Sequence, residues 1–135
     1  MTGKHMSKPS VRIGGASGYW GESDMALPQF LREGDLDYIV FDYLAEITMS
    51  IMARARSTDE SLGYATDFVH AVMAPHLVQI AEQGVKIVSN AGGVNPLACA
   101  QALRDIIHSQ GLELRSLSFS VMTSSARKAN WLPWV

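Results

Sequence analysis

Short, wholly apolar runs alternate along this chain with longer segments whose apolar residues recur every three or four positions. Val11-Arg12-Ile13 is β-prone and meets Gly14-Gly15-Ala16-Ser17-Gly18, a strand breaking into a glycine-rich turn. A helix is expected from about Met25 to Glu33, capped by Ser23 or Asp24, with Pro28 in its first turn and Gly34 at its end. Tyr38-Ile39-Val40-Phe41 is continuously apolar, as in a strand buried on both faces. Residues 44–56 place Leu44, Ile47, Ile51 and Ala55 at helical spacing, with Arg54 and Arg56 in the last turn.

A polar loop over 57–63 separates that helix from a second long one over 65–83, kinked at Pro75 and stopped by Gly84. Val85-Lys86-Ile87-Val88 reads as a third strand and runs into Ser89-Asn90-Ala91-Gly92-Gly93-Val94-Asn95-Pro96. Residues 97–110 form a helix with Pro96 at its favoured first position and Gly111 just past its end. Leu112-Glu113-Leu114 begins what should be a fourth strand. This rhythm predicts an α/β chain, a Rossmann-like parallel sheet with helices on both faces, and an incomplete one. The domain is expected over 11–114, after a flexible leader over 1–10.

The rhythm fails after Leu114. Residues 121–135 show neither helical nor strand period and carry Trp131 and Trp134 near an apolar terminus. One reading is a tail that packs its tryptophans on the domain. The reading preferred here is a shift of reading frame from about Arg115. Val121-Met122-Thr123-Ser124-Ser125 can be encoded so that the neighbouring frame gives Gly-Asp-Asp-Leu-Leu, a turn suited to an α/β chain. The intact protein is then expected to be longer.

Composition narrows the partners. The 135 residues carry 11 Lys plus Arg and 13 Asp plus Glu, a net charge of −2, too balanced for a nucleic-acid binder or a polybasic membrane surface. No apolar run approaches a membrane span, and the polar start lacks the core of a signal peptide. The single Cys99 forbids an intramolecular disulfide and a cysteine zinc cluster. A reducing, cytoplasmic setting is expected.

In an open parallel sheet ligands sit at the carboxyl ends of the strands, and three exits carry unusual residues. At the first, Gly14, Gly15, Ser17 and Gly18 could bring backbone N–H groups and a hydroxyl to an anion, or form a plain tight turn. The run is neither a Walker A loop nor a clean GxGxxG. At the second, Asp42 follows an apolar strand and Glu46 lies four residues on. They suit an acid/base pair or a metal site; equally, Asp42 caps the helix and Glu46 favours its dipole. At the third, Asn90, Gly92, Gly93 and Asn95 open a helix and could cradle phosphate or carboxylate, while Asn95 is also a good N-cap. His5, His70, His76 and His108 show no ligand spacing, Cys99 among small residues reads as core, and Met49, Met52 and Met73 read as core. No metal site is expected.

At these exits the chain resembles the N-terminal part of the acyclic terpene utilisation (AtuA-like) family. The matching stretches are VRIGGASGYWGES (11–23), GDLDYIVFDYLAEITMSIMARAR (34–56), LGYATDFV (62–69) and VKIVSNAGGVNPLACAQAL (85–103). The resemblance implies a chain several hundred residues long, with a Gly-Asp-Asp segment after the next strand. It implies a role in catabolism of acyclic terpenes such as citronellol and geraniol, alongside acyl-CoA enzymes including a biotin-dependent geranyl-CoA carboxylase. It names no cofactor and no reaction. Three readings follow. The first is an enzyme on a branched acyl-CoA or similar organic acid, with Asp42 or Glu46 as acid/base. The second is a non-catalytic subunit docking on a carboxylase or transferase, or on itself. The third is an inactive fragment.

Overall fold

A computed structural model describes residues 10–16, 20–21 and 23–120. Three strands, β1 (Ile13–Gly15), β2 (Tyr38–Phe41) and β3 (Lys86–Ser89), form one parallel sheet in the order β1-β2-β3. Gly14 pairs with Ile39 and Ile39 with Ile87, so these three share a face. Asp37 sets the sheet's lower edge: its carboxylate accepts from the Arg12 N–H at 2.8 Å, and its own N–H donates to the Arg12 carbonyl at 2.9 Å.

Helix α1 (Ser23–Glu33) starts two residues earlier than its apolar period suggests and buries Leu27 and Leu31, one turn apart. Pro28 lies inside it, and Gly34 ends it in the left-handed conformation, its N–H donating to the Phe30 carbonyl at 3.0 Å. Helix α2 (Glu46–Thr58) begins later than expected and buries Thr48 and Met52.

The single helix expected over 65–83 is three pieces. A π-helical segment (Phe68–Met73) and a 3-10 turn (Ala74–His76) lead into α3 (Leu77–Gln83). Pro75 has no N–H to give the preceding turn, so the regular ladder breaks there. The His76 ring adds a bond beside this break: Nδ1 lies 2.8 Å from the Val72 carbonyl, which can only accept, so Nδ1 carries the proton. Helix α4 (Pro96–Ser109) buries Cys99, Ala100 and Ile107.

The core lies between the sheet and these helices. Ile39 and Phe41 of β2 meet Leu27, Leu31, Phe68, Val69, Val72 and Leu77 in one buried cluster. Phe41, Tyr43 and Phe68 form edge-to-face pairs with ring centroids 5.5 Å apart.

Two expectations need correction. Residues 112–114 form no strand: the segment alternates half-buried and exposed positions, but its backbone makes no ladder bond to β3. Leu112 and Leu114 pack on the core, which imposes a period of two without pairing. Nor, among the described residues, are both faces of the sheet covered. Ile13, Val40 and Val88 point away from the core and are 62%, 37% and 50% exposed. The strand order explains this. β1, β2 and β3 are added in one direction, and right-handed crossovers that advance in one direction all lie on one face. The leader over 1–9 and the tail over 121–135, with the frame-shift reading attached to it, lie outside the described residues.

Candidate functional site

The carboxyl ends of the strands bring two of the three exits into contact. Phe41 of β2 pairs with Ser89 of β3, so the next residues, Asp42 and Asn90, leave the sheet side by side. Asn90 Nδ2 donates to Asp42 Oδ1 at 2.7 Å, and Asn90 Oδ1 accepts from the Tyr43 N–H at 2.7 Å. The Leu44 N–H donates to Asp42 Oδ1 at 3.2 Å. Asp42 is exposed, and these bonds, Asn90 first, hold its carboxyl below the ordinary carboxylate value. It is therefore ionised near neutral pH, an acceptor or base rather than a proton donor.

Asp42 is not the cap of α2. The residue before the helix is Ala45, and Thr48 serves it: Thr48 Oγ1 accepts from the Ala45 N–H at 2.7 Å and lies 3.0 Å from the Tyr43 carbonyl. Glu46 is in the first turn of α2, exposed, beside an open depression that it lines with Ala45, Ile47 and Ser50.

The first exit lies next to β2. The Ala16 N–H donates to the Val40 carbonyl at 2.8 Å, which carries pairing one step beyond Gly15. Gly14 faces the core, where a Cβ would sit 2.8 Å from Leu36 and 2.9 Å from Phe30, so this glycine serves packing. A Cβ on Gly15 would meet nothing within 4 Å, because it would point to the exposed face of the sheet with Ile13, Val40 and Val88. Ser17 and Gly18 lie outside the described residues. Trp20 follows, its Nε1 donating to Asp67 Oδ1 at 2.7 Å and its ring edge-on to Tyr43. Neither Trp20 nor Asp67 stands out in the sequence as a site residue, because nothing in a 47-residue separation signals their contact.

The third exit is a clamp. Asn95 is buried, and its Nδ2 donates to the Glu60 and Leu62 carbonyls at 2.9 and 2.8 Å, so it supplies no side-chain cap to α4. The Val94 N–H donates to the Gly63 carbonyl and the Ala65 N–H to the Ala91 carbonyl, while Arg56 reaches the Val94 carbonyl. Gly93 has φ +51°, and a Cβ there would lie within 2.8 Å of the Gly63 carbonyl oxygen as well as against Met52; one on Gly92 would lie 2.9 Å from Pro96 Cα. These glycines permit close packing of loop on loop.

Cys99 is buried, and desolvation pushes its thiol up to about 11, the behaviour of a core residue. Among the described residues no group of three or more His, Cys, Asp or Glu could hold a metal ion, and no helix is long and apolar enough to cross a membrane. The model for the acyclic terpene utilisation family protein AtuA matches residues 11–119. The chain belongs to that family. The AtuA match spans all three exits and so takes in both the Asp42–Asn90 pair and the Asn95 clamp. No curated protein matches the chain, and no solved structure does. Membership places the protein in acyclic terpene utilisation.

Proposed function

We propose that this AtuA-family chain is the ligand-binding front of an enzyme of acyclic terpenoid breakdown, working in the cytoplasm on a branched acyl-CoA or organic acid. The observation that carries the reading is Asp42: an exposed, ionised carboxylate at the carboxyl end of the sheet, oriented by Asn90. Such a group receives a hydroxyl hydrogen or a proton from a ligand. The third exit offers the ligand's anionic part little, because its Asn95 amide is already engaged. Glu46, four residues on, lines an open depression as a second carboxylate.

The test is thermal stabilisation by a panel of terpenoid acyl-CoAs and free acids, with Asp42→Asn and Glu46→Gln beside the parent. Saturable stabilisation that Asp42→Asn weakens supports the reading; no shift across the panel overturns it. A second reading, a docking subunit, draws support from the uncovered sheet face at Ile13, Val40 and Val88. It expects co-purification with an acyl-CoA carboxylase or transferase, or self-association, that Val88→Lys abolishes while Asp42→Asn leaves it intact.

A further inference from the structure

We propose that the outward ridge of α2 is the contact through which two copies of this chain pair, antiparallel and about a two-fold axis near Ser50. The inference is independent of the Asp42 ligand reading. Helix α2 buries one side only, at Thr48 and Met52. Away from them, Ile47 is 70% and Ile51 52% exposed, four residues apart and so one above the other on one face. Helices α1, α3 and α4 each expose a single large apolar side chain, Met25, Val78 and Leu97 respectively, the ordinary condition of a protein surface. Among the described helices, α2 alone shows two together.

Ser50 lies beside these isoleucines on the ridge, and its small side chain lets a second helix approach closely. Its Oγ donates to the Glu46 carbonyl at 3.0 Å, so the hydroxyl can be covered without losing its partner. Glu46 stands four residues before Ser50 and Arg54 four residues after, about 6 Å each way along the axis. The two are therefore too far apart to pair with each other. Neither is in an ion pair among the described residues, and both are exposed.

An antiparallel pair centred on Ser50 brings Glu46 of each copy beside Arg54 of the other, so one surface complements itself twice. It also sets the positive end of each helix beside the negative end of its neighbour. A parallel pair would bring Glu46 to Glu46 and Arg54 to Arg54, and like charges disfavour it. Four isoleucines fill the seam and supply the affinity, while the exposed charges set orientation and register. A pair of 13-residue helices is at the small end of specific interfaces, so pairing is expected over roughly 10–500 μM.

The experiment is sedimentation equilibrium of the full chain over that range, with Glu46→Arg, Arg54→Glu and Val88→Lys beside the parent, each checked by thermal melting. The parent should pass from the mass of one chain to that of two. Each charge reversal creates two like-charge contacts and should weaken pairing about tenfold or more. An equimolar mixture of the two reversals should recover it, because each variant then meets the opposite charge at both contacts. Val88→Lys should change nothing. A parent that stays single, pairing indifferent to both reversals, or a mixture no better than its components each overturns the inference. Pairing that only Val88→Lys abolishes overturns it too, and moves the contact to the bare sheet face.

Discussion

Replacing Asn95 by alanine separates a clamp from a ligand cradle. The Asn95 side chain is buried, and its amide hydrogens serve two carbonyls, those of Glu60 at 2.9 Å and Leu62 at 2.8 Å. Each bond contributes about 1 kcal/mol net, and truncation also leaves a small void and two carbonyls without their partner. The sum is about 2–3 kcal/mol, or a fall in melting temperature of roughly 10 °C for a chain of this length. Equilibrium urea unfolding of the parent and Asn95→Ala gives the number directly.

Asn95→Asp sharpens the test. A carboxylate facing two carbonyl oxygens has no donor to offer, so its pKa is raised in the folded state and the folded form holds its proton more tightly. That variant should be less stable than Asn95→Ala at neutral pH, and the gap should narrow as pH falls through the raised pKa and the carboxyl regains a donor. A loss under about 0.5 kcal/mol for Asn95→Ala, the range of an ordinary surface change, refutes the clamp.

Other outcomes follow from the same geometry. Asp42 has a depressed pKa, so its stabilising bonds are present above the ordinary carboxylate value and lost as pH falls through the lowered one; Asn90→Ala should move its midpoint back up, as carboxyl carbon NMR titration would record. Gly93→Ala should cost about 2 kcal/mol or more, because φ +51° strains an alanine and its Cβ meets Met52 and the Gly63 carbonyl, whereas Gly15→Ala should stay within about 0.5 kcal/mol by urea unfolding. Cys99 should resist iodoacetamide at pH 8 in the folded protein and react only as fast as the chain opens, since its thiol is buried and titrates at about 11.

The sheet was legible because a parallel strand is a run of apolar residues with a glycine or an Asx residue at its exit, and Tyr38–Phe41 carries that pattern plainly. The break at Pro75 was legible too, since a missing N–H is a local fact. What lay hidden was relational. Asn90, Gly92, Gly93 and Asn95 look alike as a ligand loop, yet Asn90 orients Asp42 while Asn95 ties down the loop around Glu60. Only the register of β2 against β3, and the position of a loop 35 residues away, assign those partners. Leu112–Leu114 misled because side-chain burial alone produces a strand-like period.

The one-way order of the strands has a topological consequence. A further crossover that continued past β3 in the same sense would add its helix to the side already clothed. To roof Ile13, Val40 and Val88 with a helix of its own, such a sheet must change its direction of growth, returning to the outer edge of β1 and advancing away from β2. Loops on either side of a reversal part from each other, and a crevice opens between them at the carboxyl end. Here that crevice would open at the exit of β1, beside Gly15, so covering the bare face and deepening the ligand cleft are the same geometric event.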